Sequence, residues 1–250
     1  MDGVAVVEQI AVSCFRSFMR IRNAELLDDG RIFGVMSHVP ITFFNGIAMT
    51  NITEAHVVSV IDIFRAKGCP FRWWLTPSTR PAGLAGLLAA NGMRHAYDAP
   101  GMAADLTSLD LEVPPPAGVT IRQVIDLTPW TDVLAPTFSF PAGHAELWRD
   151  AYAQCGDEWS HFVAFLGDQP VATTSLLLDG TLAGIYMVGT LAHARGRGIG
   201  AAVTREAMRF ARDRGATQAA LQSSELGYGV YRGLGFVEYC NLRLYDWRPE

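Results

Sequence analysis

Hydrophobic positions recur along the chain with two alternating spacings, and each switch between helical spacing and a short apolar run marks a change of element. Val7, Ile10, Ala11, Cys14 and Phe18 fall on one helical face, which predicts a helix ending near Asn23. Asp28-Asp29-Gly30 is a turn; Ile32 to Met36 and Phe43 to Met49 are short strands, the second interrupted at Asn45-Gly46. Val57, Val60, Ile61 and Phe64 predict a helix over 53–67, stopped by Gly68. A strand over Phe71 to Leu75 and a small-residue helix over Ala82 to Ala90, closing at Asn91-Gly92, complete this half. Val113-Pro114-Pro115-Pro116-Ala117-Gly118 reads as a linker, because consecutive prolines exclude helix and sheet interior. Beyond it come a strand, Val119 to Val124, a helix over Leu127 to Leu134 ending before Pro136, and a helix over His144 to Gln154. His161 to Leu166 and Val171 to Leu178 form a hairpin around Gly167-Asp168-Gln169-Pro170.

The richest pattern lies further on. Leu182 to Val188 is an apolar run bounded by turn residues, and Ile199, Val203, Ala207 and Phe210 then share one helical face opposite Arg205, Arg209 and Arg212. Gly196, Gly198 and Gly200 stand between the two. Glycines there let an anion approach the backbone, and the free N–H groups of the first helical turn point at it. Arg195 and Arg197 add local positive charge. Two chemistries compete for this loop. Read as G-x-G-x-x-A over Gly196, Gly198 and Ala201, it satisfies a dinucleotide-binding fingerprint. Against that, five residues, Leu191 to Arg195, separate it from its strand, and no second βαβ half follows. A nucleotide-triphosphate loop is excluded, because no Gly-Lys-Ser/Thr is present.

The register Arg195-x-x-Gly198-x-Gly200, between a strand and an amphipathic helix, resembles the coenzyme A loop of the GNAT superfamily of acyl-CoA N-acyltransferases. A second motif supports the resemblance. After a strand over Thr217 to Ser223 and a short helix over Glu225 to Gly233, Val230-Tyr231-Arg232-Gly233-Leu234-Gly235-Phe236 resembles the family's Tyr, Leu-Gly-Phe ending. The resemblance covers about residues 119 to 245 and implies a final strand. It implies an α/β (α+β) fold, two GNAT-like domains each with a mixed, mostly antiparallel sheet flanked by helices, and acetyl-CoA as donor. It also implies coenzyme A on Met187, Val188, Arg195, Gly196, Arg197, Gly198, Ile199, Gly200 and Ala201, with Tyr231 as the general acid that protonates the departing thiolate.

The first half looks like a worn copy of the second. Phe64-Arg65-Ala66-Lys67-Gly68 aligns with Ala211-Arg212-Asp213-Arg214-Gly215, and Asn91-Gly92-Met93 with Leu234-Gly235-Phe236. The loop would then fall at Met49-Thr50-Asn51-Ile52-Thr53, where no glycine stands. The expected organisation is residues 1–112 as a degenerate GNAT-like domain without a cofactor loop, 113–118 as linker and 119–250 as the acyltransferase domain.

Composition narrows the chemistry further. Half of the 250 residues are hydrophobic and 18% are charged, enough for a sizeable core. A net charge of −5 offers no global field for nucleic acid or acidic membrane, so any anion site is local. Cys14, Cys69, Cys155 and Cys240 lie far apart and the six histidines show no i,i+4 pairing, so neither zinc nor a disulfide framework is indicated. Glu8 and Arg16 break the pattern of a signal peptide, and no apolar run is long enough to cross a membrane, which gives a cytoplasmic expectation. The acceptor is expected to be a small-molecule amine, and a homodimer is left open.

The base is the open question. Many members of the superfamily carry a glutamate on the strand before the loop, but Ala183 to Val188 holds no carboxylate. Glu225 and Tyr186 are the candidates, and His193 reads as a loop residue. Phe138, Phe140, Trp148, Tyr152 and Trp159 cluster around the two helices where the family forms its acceptor groove. The rival functions are a binding module that holds acyl-CoA without turnover, suggested by the absent carboxylate, and a dinucleotide-binding oxidoreductase.

Overall fold

The protein, a computed structural model, is described over residues 2–249. It divides into two compact units: Met1–Gly101 with Glu238–Glu250, and Met102–Val237.

The first unit begins with α1 (Gly3–Ser17), capped by the Asp2 carboxylate, which accepts from the Val4 N–H. The predicted stripe of Val7, Ile10, Ala11 and Cys14 is buried, as is Phe18 in the 3-10 turn that follows the helix. β1 (Glu25–Asp28), β2 (Ile32–Met36) and β3 (Asn45–Thr50) pair antiparallel; β4 (Phe71–Leu75) runs parallel to β3. α2 (Glu54–Ala66) and α3 (Leu84–Ala90) cover a core in which Phe64 stacks on Phe71 at 4.1 Å. Asn45-Gly46, expected to interrupt a strand from Phe43 to Met49, instead begins it, and Phe43-Phe44 fall in a 3-10 turn before it. The Asn45 amide is fully buried and satisfied, accepting from the Ser37 N–H and donating to the Val39 and Ile41 carbonyls. A Cβ on Gly46 would stand 2.1 Å from the Arg72 carbonyl, so the strands close only over glycine.

Two strands escape the sequence pattern. β1 is a mostly exposed edge with no apolar alternation. β5 (Arg94–Asp105) carries Pro100-Gly101 in its middle, and Gly101 is packed so tightly that a Cβ would meet Cys240, Leu242 and Val7 within 2.8 Å. Its last residues, from Met102 onward, belong to the second unit.

In that unit β6 (Val119–Val124), β7 (Trp159–Leu166), β8 (Gln169–Asp179) and β9 (Leu182–Thr190) form an antiparallel meander, and β10 (Gln218–Gln222) joins β9 in parallel. α4 (Thr128–Thr137) and α5 (His144–Tyr152) connect β6 to β7; α6 (Ile199–Asp213) and α7 (Glu225–Gly233) flank β10 in sequence. Each unit thus holds the expected mixed, mostly antiparallel sheet with helices. Pro136 does not end α4: the helix runs one turn further, closed by Thr137 Oγ1 donating to the Val133 carbonyl.

The final strand, β11 (Val237–Trp247), is placed differently from the sequence reading. Glu238–Glu250 falls in the first unit, where Arg243 to Trp247 pair antiparallel with Leu75 to Phe71, and the 113–118 segment lies inside the second unit. Strand pairing decides this, because β4 would otherwise leave a row of backbone donors and acceptors open in an apolar sheet. Arg72 and Asp246 lock the register with two hydrogen bonds of 2.6 and 2.9 Å.

Candidate functional site

β9 carries the first half of the site. Its ladder with β8 is regular from Asp179↔Leu182 to Ser175↔Tyr186, then slips, resuming at Thr173↔Gly189. Met187 and Val188 therefore face the single residue Thr174, and Met187 takes a φ of 49°. This is a β-bulge, which removes a residue from the ladder and re-aims its backbone groups. Thr173 Oγ1 donates to the Met187 carbonyl at 2.9 Å and fixes the bulge. On the other side, among the described residues, the parallel register with β10 ends at Ala220↔Gly184. From Ile185 onward that edge of β9 has no register with β10 among the described residues.

The loop after β9 supplies the second half. A 3-10 turn, Ala192–Ala194, precedes Arg195, whose Nε donates to the Thr190 carbonyl at 3.0 Å. Gly196 and Gly198 take φ of 72° and 74°, and Gly198 caps α6 from the left-handed region with no side-chain hydrogen bond. The first intrahelical bond is Ala202 N–H to the Gly198 carbonyl, so the N–H groups of Ile199, Gly200 and Ala201 have no acceptor within the helix. A Cβ on Gly196 would meet open space, while one on Gly200 would sit 3.0 Å from Thr190 Oγ1. Arg195 and Arg197 are both exposed beside these amides. The cradle therefore has donors, positive charge and room, which fits a phosphate-bearing group. Pro116 of the proline segment approaches Gly198.

Tyr231 stands on α7, 8% exposed, its ring edge-on to Phe236 at 6.0 Å. Gly227, one turn earlier, makes room for the ring, since a Cβ there would lie 2.7 Å from it. Burial pushes the phenol well above its usual range. Val188, Ile185, Ile199, Val203, Tyr231 and Phe236 meet in one apolar core, which brings the bulge, the loop helix and the tyrosine together.

The other candidates separate. Tyr186 is buried beside Trp159 at 5.4 Å, Glu225 is exposed on the first turn of α7, and His193 is an exposed residue of the 3-10 turn. Of the five aromatics, Trp148, Tyr152 and Trp159 are buried in the core. Phe138 is 48% exposed and packs against Gly189, and Phe140 stacks on Trp148 at 5.1 Å. The sequence pattern did not single out His161. It is buried among Trp130, Tyr152 and Trp159, with Nδ1 2.9 Å from Ser175 Oγ, and burial lowers its pKa to about 3. Only the place of the histidine at the start of a near-continuous apolar run could have hinted at this.

Residues 127–236 match the model of the acetyltransferase (GNAT) family. Among solved structures, a GCN5-related N-acetyltransferase from Kribbella flavida superposes with a TM-score of 0.73 at 22% identity, covering 98% of this chain and 96% of its own. A functionally unknown conserved protein from Staphylococcus epidermidis gives 0.69 at 14% identity, over 91% and 95%. A tandem GNAT protein from the clavulanic acid biosynthesis pathway gives 0.63 at 13% identity, over 98% and 95%. These likenesses establish the fold across both units. No curated protein matches the chain.

Proposed function

We propose, from the match of residues 127–236 to the acetyltransferase (GNAT) family model, that the second unit transfers an acetyl group from acetyl-CoA to the amine of a small acceptor. The observation that carries this reading is the continuity of the bulged, half-unpaired β9 with a glycine-lined, uncapped helix N-terminus. A dinucleotide fingerprint follows its strand directly in a parallel sheet, whereas this loop follows an antiparallel strand and a 3-10 turn. That favours coenzyme A over a nicotinamide cofactor.

In this reading the N–H groups from Gly196 to Ala201, with Arg195 and Arg197, hold the pyrophosphate. The open edge of β9 pairs with the pantetheine arm, and the backbone N–H at Val188 faces the thioester oxygen, where negative charge grows during attack. Acetyl-CoA supplies the activated acyl carbon and a thiolate leaving group. The raised pKa keeps the Tyr231 hydroxyl protonated, so it donates a hydrogen bond that strengthens as charge develops on sulfur. Full transfer to a thiolate of parent pKa near 8.5 is uphill from so weak an acid, which assigns Tyr231 stabilisation more than outright protonation. No carboxylate stands on β9 or β10. Neutralising a lysine-like amine at pH 7 costs about 4.6 kcal/mol, an α-amine only about 1, so the acceptor is a weakly basic amine deprotonated by solvent. The exposed Phe138 against Gly189 gives that amine an apolar body to rest on.

Gly200→Glu tests the assignment. Its Cβ presses on Thr190 Oγ1 and its carboxylate lies among the N–H groups, so titration calorimetry should detect no coenzyme A binding while circular dichroism stays native. Unchanged affinity in a folded variant would dismiss the loop.

A further inference from the structure

A hollow of about 870 Å³ lies wholly within the first unit, between the end of α2, the start of β5 and the end of β11. Four guanidinium groups line it, those of Arg65, Arg72, Arg94 and Arg248, against one carboxylate, that of Asp246. On a chain of net charge −5 with only twenty lysines and arginines, this is a local reversal of sign. Asp246 does not neutralise it. Both its oxygens are taken by Arg72, which also donates to the Tyr97 hydroxyl at 2.8 Å, while Arg248 reaches Asp246 only at 3.5 Å. Arg65 holds the Asn91 carbonyl and an exposed Asp62. Arg94 has no partner among the described residues. The Arg72 side chain is 12% exposed, so the floor of the hollow is a fixed, desolvated ion pair, and the Arg94 and Arg248 guanidinium groups stand at its rim. One wall is flat and apolar: the Tyr97 ring is 47% exposed, with the Arg72 guanidinium 5.0 Å from its centroid, and Trp247 also lines the hollow.

We propose that this hollow binds a small molecule in which a phosphate group is attached to a flat ring. Arg94 and Arg248 pair with the phosphate oxygens through planar forks, Arg65 adds positive charge beside them, and the ring rests on Tyr97. The site is separate from the glycine loop and does not depend on the function proposed for it. It gives the first unit a ligand of its own even though that unit lacks a coenzyme A loop.

Phenyl phosphate and inorganic phosphate serve as probes, titrated into the Gly200→Glu chain so that the loop of the second unit does not contribute. One phenyl phosphate should bind per chain, about tenfold tighter than inorganic phosphate, and more weakly as salt rises. Arg94→Ala and Arg248→Ala, both at the rim, should each weaken it about tenfold without changing the unfolding temperature. Tyr97→Leu should bring the two probes to equal affinity. Absence of binding, or equal affinity in the Arg94→Ala and parent chains, would overturn the proposal.

Discussion

The hydroxyl of Tyr231 meets no protein hydrogen-bond partner among the described residues, although its ring is packed under the core. A phenol held this way is preorganised for a ligand atom. Tyr231→Phe keeps the packing and removes the donor, so kcat should fall about 10- to 100-fold with coenzyme A affinity nearly unchanged. Steady-state kinetics beside calorimetry separates the two; a variant at full speed would remove the hydroxyl from the mechanism. His161 illustrates the opposite fate of a buried polar group. The unfolded chain takes up a proton at this histidine near pH 6.5, and the folded chain refuses it until about 3. Protonation therefore favours the unfolded state as pH falls below 6.5, and stability lost between pH 7 and 5 is about 2 kcal/mol from this group. His161→Gln should flatten that part of the denaturation profile; an unchanged slope would mean the imidazole is hydrated in the folded protein.

Among the elements, those with a strong period were legible: α1, α2 and α6 each bury the stripe that spacing predicts, and the glycine loop precedes α6 as read. What escaped the pattern depends on partners distant in sequence. β5 has no alternation to read because Pro100-Gly101 serves a close approach to Cys240 and Leu242, more than a hundred residues away. The bulge at Met187 depends on register against β8, and the buried His161 on three aromatic neighbours, neither of which local composition encodes. β11 is the sharpest case. Its last residues look like the close of the second half, yet Leu244, 1% exposed, pairs with Trp74 of β4. Leu244→Ala should cost about 2–5 kcal/mol, and hydrogen exchange should accelerate in β3 and β4 before α6 or β8. Loss of protection confined to β9 and β10 would return the strand to the second unit.

For the whole chain, the repeat survives in backbone geometry better than in chemistry. Gly68 and Gly215, and Gly92 and Gly235, all take positive φ at matching helix ends. At residues 49–53, where the repeat would place the loop, the geometries differ. Thr50 and Ile52 are hydrogen-bonded through their backbone to Arg80, and Thr53 leads straight into α2 with no glycine cradle. Equilibrium dialysis should therefore find one coenzyme A per chain, and a stoichiometry near two would make the first unit a second cofactor domain. The placement of β11 also imposes an order in time. A ribosome releases the first hundred residues with β4 unpaired on one side, and the strand that completes them follows only after residues 102–237 have been made. At roughly 5 to 20 residues per second, the first unit waits on the order of ten to thirty seconds for its own final piece. During that interval the nascent chain exposes an apolar sheet edge, so its survival depends on whatever shelters it until β11 emerges.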